Sequence, residues 1–231
     1  MLTIKDLSIK SSEQVLLDNF NLSVDKGELV GLIGASGSGK SILFQAIQGT
    51  LPSSFAHTGS IEFMDEAPKQ TALIAQHSGV LNPNLTIGKQ LHLFASHQGD
   101  IDRYLKQLKL DLSIKEQYPY QLSGGMLKRI LTCLALIQDT PYLLADEPAC
   151  GLDHDNAVLL YQCLRQQNHK GVIVISHDLE LLVNYVDRIV VLNKGLQVDN
   201  TTPSAILTGQ CQSYTCQLWQ ALPQHWESCC D

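Results

Sequence analysis

Hydrophobic positions along the chain follow two periods. In Leu2-Thr3-Ile4-Lys5-Asp6-Leu7-Ser8-Ile9 apolar and polar side chains roughly alternate, which predicts a strand with one wet face. A second strand is predicted over Asn19–Val24, before a turn at Asp25-Lys26-Gly27-Glu28, and a third piece over Gly59–Phe63. Together these predict a small antiparallel sheet. Elsewhere the apolar runs are unbroken: Glu28–Ile33, Thr71–Ala75, Tyr142–Asp146 and Gly171–Ser176 read as buried strands. Helical spacing takes over at Ile42–Gln48, across residues 86–118 and at Asn156–Gln166. In the middle stretch Leu91, Phe94, Tyr104, Leu105, Leu108 and Leu110 are the expected apolar anchors. Ser123 is a natural N-cap for a helix running to about Ile137. Arg188–Leu192 and Gln197-Val198 close a hairpin around Asn193-Lys194-Gly195. Buried strands alternating with helices predict an α/β fold: a doubly wound, mostly parallel sheet with an antiparallel β subdomain and a helical insertion.

The chemistry is concentrated where those elements end. Between the strand ending at Ile33 and the helix beginning at Ile42 runs Gly34-Ala35-Ser36-Gly37-Ser38-Gly39-Lys40-Ser41, which fits the phosphate-loop pattern G-x-x-x-x-G-K-[ST]. Its glycines let backbone curl round phosphate oxygens, and the N–H groups from Gly37 to Ser41 face the positive end of the new helix. Lys40 supplies a cation for the β- and γ-phosphates of ATP, and the Ser41 hydroxyl can ligate Mg²⁺. This makes the predicted fold that of a P-loop NTPase. The run Tyr142–Asp146 delivers a carboxylate to the ligand edge of the sheet, where Asp146 can hold Mg²⁺. Glu147, on the turn before Pro148, is placed to orient or deprotonate an attacking water. Gln76 and His177 also follow buried strands. A neutral amide at Gln76 can ligate Mg²⁺ or orient water, or simply face solvent. An imidazole at His177 can bond a γ-phosphate. Ser123-Gly124-Gly125-Met126 opens a second helix with unoccupied N–H groups, a second anion site about 90 residues from the first. One nucleotide does not need two phosphate cradles; a second copy of the protein, or a paralogue, does.

Composition narrows the reading. The chain has 231 residues, 44% of them hydrophobic, enough for one large domain or two small ones. The net charge of −7 gives no electrostatic case for nucleic acid as a partner. No apolar run approaches the length needed to span a bilayer, and no signal peptide is evident. Seven scattered cysteines without a secretory signal predict reduced thiols in the cytosol. His225, Cys229 and Cys230 stand close enough for a soft-metal site, but a fourth ligand is not evident and a tail with free thiols is the preferred reading.

Taken together, these motifs resemble the ATP-binding subunit of an ABC transporter, over about Leu2 to Thr208. Leu122-Ser123-Gly124-Gly125 matches the family signature; Gln76, Asp153 and His177 match its Q-loop glutamine, D-loop aspartate and switch histidine. The resemblance implies a head-to-tail dimer in which Ser123, Gly124, Gly125 and Met126 act on ATP bound by the other subunit. It implies Mg²⁺ held by Ser41, Gln76 and Asp146, and catalysis by Glu147, His177 and Gln76. It also implies a nucleotide core over 1–76 and 140–208, a helical subdomain over about 77–139 and a short tail over 209–231. Tyr118–Arg129 and Lys40-Ser41-Ile42 look most like the oligopeptide, dipeptide and nickel importers. Such an ATPase would sit on the cytoplasmic face of the inner membrane with a second ATPase subunit, a paralogue or itself. It would dock on permease subunits and serve an extracytoplasmic solute-binding protein indirectly. A short C-terminus tilts the cargo towards nickel or a metal chelate over peptide. Three features depart from the family. No aromatic stands near Ser11, where the adenine-stacking one belongs; Ala149 and Cys150 replace the usual Thr or Ser; and Cys211, Cys216, Cys229 and Cys230 do not reproduce the iron–sulfur cluster of peptide-importing relatives. A soluble ABC-type ATPase of translation or DNA repair would have two cores or a long coiled coil. A P-loop kinase would not need Ser123-Gly124-Gly125 or His177.

Overall fold

The computed structural model describes residues 1–65, 67, 69–76 and 78–222. In chain order the first elements are β1 Leu2–Lys10, β2 Val15–Val24, β3 Leu29–Gly34, α1 Lys40–Ile47, β4 Ala56–Phe63 and β5 Thr71–Ile74. Next come α2 Ile87–Phe94, α3 Gln98–Gln107, α4 Gly124–Leu136, β6 Tyr142–Asp146, α5 His154–Arg165 and β7 Gly171–Ile175. The chain closes with α6 Leu179–Tyr185, β8 Arg188–Asn193, β9 Leu196–Thr201, α7 Pro203–Leu207 and α8 Ser213–Gln220. The residues fall into two compact units.

The first unit comprises Met1–Val24, Leu29–Phe63 and the chain from Ile175 on. Its strands run in the order β4-β1-β2-β9-β8-β3. β1 pairs antiparallel with β2 and with β4, as the alternating pattern predicts. That alternation slips by one residue: Leu2, Ile4, Leu7 and Ile9 are all buried, although Ile4 and Leu7 have opposite parity. A bulge absorbs the slip. Asp6 and the neighbouring-strand residues Asn19 and Gly59 all take left-handed backbone, and both ladders shift register there. β3 and β8 pair in parallel and are buried through Leu29–Ile33 and Ile189–Leu192, as unbroken apolar runs require. The β8–β9 hairpin turns at Lys194 and Gly195, both with positive φ, the geometry that matches strand twist in a tight hairpin.

The second unit comprises Asp25–Glu28 and Met64–Val174, with strands in the order β7-β6-β5. β5 and β6 are parallel, with Ile74 opposite Ala145. α4 buries Ile130, Leu131, Cys133, Ala135 and Leu136. Its Arg129 donates to the carbonyls of Leu108 and Lys109, capping the C-terminus of α3 with a cation. Buried Gln90 bonds Asn82 through both its amide and carbonyl and also donates to Leu85, clamping the loop before α2.

Two expectations are corrected. Phe94 is not a core anchor: it is 49% exposed, because only the first part of α2 is covered and its last residues, Leu93 and Phe94, face solvent. Nor are all thiols reduced. Cys211 and Cys216 form a disulfide with Cα atoms 6.1 Å apart. Asp199 accepts from the Gln212 amide and the Thr215 hydroxyl, and this holds the start of α8 so that the two cysteines meet. Cys133, Cys150 and Cys163 are free thiols. Among the described residues no helix is long and apolar enough to cross a membrane.

Candidate functional site

In the first unit the phosphate loop leaves β3 at Gly34 and enters α1 at Lys40. Gly37 and Gly39 have φ of 77° and 104°, values that a side chain would resist. At Gly39 a Cβ would also come within 2.7 Å of the Leu16 carbonyl oxygen. Gly39 is the N-cap of α1 and no side chain caps it, so the opening turn presents its amides at the positive end of the helix. The Lys40 ammonium reaches back over the loop to the carbonyls of Gly34 and Ala35 at 2.6 and 3.0 Å and to the Ser38 hydroxyl at 3.4 Å. Ser41 is exposed in the first turn of α1. Three glycines, a lysine held over the loop and the amides of the opening helical turn form a cradle that fits a triphosphate. Beside it, the Ser176 amide donates to Leu32 in β3. Asp178 caps α6 through the Leu181 amide, and its own amide donates to the Ser176 hydroxyl. This fixed turn presents His177, which is exposed.

In the second unit, the register of β5 and β6 sets Gln76 and Asp146 at the carboxyl ends of adjacent strands. Gln76 is exposed; Asp146 and Glu147 are half-buried. Glu147 takes φ of 47°, in the left-handed region, a strain that tertiary structure must hold and that is concentrated at functional sites. The chain then turns through Glu147–Cys150 and Ala149–Leu152 hydrogen bonds into α5. Asp153 caps α5, accepting from the backbone and side-chain amides of Asn156 at 2.9 and 2.7 Å. Those bonds, with the nearby Arg129 charge, hold its carboxyl below the usual range. Ser123 caps α4 by accepting from Met126. Gly124 is exposed, lacks positive φ and has open space where a Cβ would stand. A Cβ built on Gly125 would stand 3.6 Å from the Leu152 side chain, which puts the signature beside the turn that carries Asp153.

One contact has no counterpart in the sequence reading. The Lys128 ammonium donates to the Gln76 backbone carbonyl. Partial burial lowers its pKa, while Cys150, Asp146 and Glu147 oppose that shift through their charges. Lys128 stands in the signature stretch, where it reads only as a polar helix residue; nothing in its spacing points to a loop fifty-two residues upstream. At Ser11 the hydroxyl accepts from the amides of Glu13 and Gln14, closing a turn without an aromatic side chain. His225, Cys229 and Cys230 lie outside the described residues. Among the described residues no three His, Cys, Asp or Glu side chains gather as a metal site.

A triphosphate cradle between β3 and α1 within an α/β fold defines a P-loop nucleotide hydrolase. The sequence pattern of the ABC transporter family matches residues 17–150, more than half of the chain. A metal-staphylopine import system ATP-binding protein of Staphylococcus aureus is 33% identical, covering 90% of this chain and 88% of its own. A probable D,D-dipeptide transport ATP-binding protein of Escherichia coli is 31% identical over 90% of this chain and 73% of its own. The solved structure of an ATP-binding subunit of an ABC transporter superposes with a TM-score of 0.79 at 27% identity, covering 95% of this chain and 98% of that one. The chain belongs to the ABC transporter family and is an ATPase of its importer branch.

Proposed function

We propose that the chain powers a membrane importer by closing head-to-tail on a second ATPase subunit, a paralogue or another copy of itself. In each composite site the loop Gly34–Ser41 of one subunit holds ATP and the Ser123–Met126 stretch of the other completes the cradle. Gly124 carries this reading. The chain's own packing and backbone give no reason for a glycine there, since the space beside it is open and φ is ordinary. A close approach by a phosphate from another subunit supplies one, at a helix end suited to anions.

The roles follow from position. Lys40 neutralises the β- and γ-phosphates. Ser41, Gln76 and Asp146 would hold Mg²⁺, all three offering the oxygen donors it prefers; when bound it neutralises charge developing on the transferred phosphoryl group. Glu147, fixed in its strained turn, orients and deprotonates the attacking water. His177 bonds the γ-phosphate and senses its presence. Asp153 stands on the turn that crosses to the partner. The helical subdomain, residues about 77–139, faces permease subunits at the cytoplasmic side of the inner membrane, with a solute-binding protein on the far side. A metal chelate is the favoured cargo, nickel included, because the chain matches a metal-staphylopine importer subunit over nearly its full length. Peptide is the second reading, favoured by the D,D-dipeptide relative.

Mixed dimers test the arrangement. With Lys40→Ala in one subunit and Ser123→Arg in the other, both lesions should fall on one site and leave the opposite site trapping nucleotide. Loss at both sites contradicts it. Cells carrying Lys40→Ala should lose uptake of nickel or its chelate at limiting supply yet stay sensitive to toxic peptides; the reverse pattern assigns the peptide branch.

A further inference from the structure

Lys128 has no role in the scheme above, yet it joins two of its parts. It lies on α4, five residues beyond Ser123, and donates to the backbone carbonyl of Gln76. A lysine on the rim of a helix ordinarily extends its ammonium into water. Here the ammonium is drawn back to a carbonyl just past the end of β5. A charged donor on that carbonyl restrains the backbone from which the Gln76 side chain departs. The helix that supplies the donor is rigid. One face is buried, Arg129 ties it to the end of α3, and Lys170 donates to the carbonyls of Gln138 and Thr140 just past its C-terminal end. Its other end is Ser123, whose hydroxyl accepts from the local Met126 amide. The Lys128 contact is thus a direct path between the Gln76 backbone and the helix that opens on the signature.

We propose that Lys128 is a positioning residue that fastens the Gln76 loop to the signature helix, so that Gln76 and Ser123 move together. This rests on the head-to-tail reading, in which Gln76 attends the subunit's own ATP and Ser123 the partner's. Under that reading Lys128 links the two nucleotide sites of the dimer: seating ATP against Gln76 in one site aligns Ser123 for the other. Asp146 and Glu147 lie within electrostatic reach of the same ammonium, so the latch sits beside the hydrolytic carboxylates.

The test uses the complete complex, purified with its own permease and ATPase partner, and compares Lys128→Met, Lys128→Arg, Lys128→Gln, Gln76→Ala and the Lys128→Met/Gln76→Ala double variant. Lys128→Met should lower kcat about tenfold with KM for ATP within about twofold, the mark of lost alignment rather than lost binding. Lys128→Arg, which keeps a cationic donor for a single carbonyl, should recover most of the loss, and Lys128→Gln part of it. In the Gln76→Ala background Lys128→Met should cost nothing more, because the residue it positions is gone. Losses that multiply in the double variant, or wild-type kcat in both Lys128→Met and Lys128→Gln, overturn the proposal. If Lys128→Met fails to assemble, the Lys128→Gln and Gln76→Ala pair gives the same comparison. Ser123→Arg in the same complex separates the two ideas. Full turnover there sinks the head-to-tail reading, whereas its loss alongside wild-type kcat in both Lys128→Met and Lys128→Gln sinks the latch alone.

Discussion

Lys170 is 2% exposed, and its ammonium donates to the carbonyls of Gln138 at 2.6 Å and Thr140 at 3.0 Å. Burial pushes its pKa from 10.5 to about 8, against the opposing pull of Asp139 and Asp100. At about 1.4 kcal/mol per pH unit, the drop corresponds to about 3 kcal/mol spent on keeping the buried amine charged at pH 7. Between the folded value and 10.5 the unfolded chain binds more protons, so stability should rise with pH across that window and be level below it. Lys170→Met removes the charge and its cost, but leaves the two carbonyls without their donor, a loss of about 1.5–3 kcal/mol for each charged hydrogen bond. At neutral pH the two effects nearly offset, and the variant should be between equally stable and about 3 kcal/mol less stable. At about pH 10 the wild type no longer carries most of the charging cost while the variant is unchanged, so the gap should widen by about 2–3 kcal/mol. Urea unfolding followed by tryptophan fluorescence at both pH values measures it. Taking the difference between the two proteins cancels the tyrosines and cysteines that titrate in the same range. A gap that stays constant with pH refutes the argument, since the charge would then not be what burial penalises.

Glu147→Gln should retain ATP binding, lose turnover by about a hundredfold or more and accumulate as a closed, ATP-filled dimer; turnover within about twofold of wild type in the complete complex rules out its role with water. Gln90→Leu leaves the Asn82 amide and two carbonyls unpaired and should destabilise the fold by about 2 kcal/mol, read as a lowered urea midpoint; an unchanged midpoint means that the 82–85 loop re-pairs with solvent. Deleting residues 225–231 should leave ATPase activity and its response to nickel and zinc as they were. An altered metal response would revive the site at His225, Cys229 and Cys230.

Most of the fold is legible locally because its two periods are distinct. Unbroken apolar runs at β3, β6, β7 and β8 allow only a sheet covered on both faces, and the phosphate loop needs the strand before it and the helix after it. Gln76, Asp146 and His177 can be placed because each directly follows an apolar run, and a strand delivers its next residue to the sheet edge. What is not local is not legible. The bulge through Asp6, Asn19 and Gly59 becomes visible only when three strands are side by side, though the parity slip between Ile4 and Leu7 hints at it. Phe94 keeps the helical period and still faces solvent, because burial depends on whether another element covers it. The Cys211–Cys216 bond depends on Asp199, in a different strand, holding the start of α8. Lys128 meets Gln76 across fifty-two residues, and a helix face says nothing about which loop will lie against it. Composition and spacing determine which elements form and which residues their ends present. Tertiary structure alone decides which polar groups leave water together, because the cost of burying a charge or carbonyl is met only by a partner brought in from elsewhere in the chain.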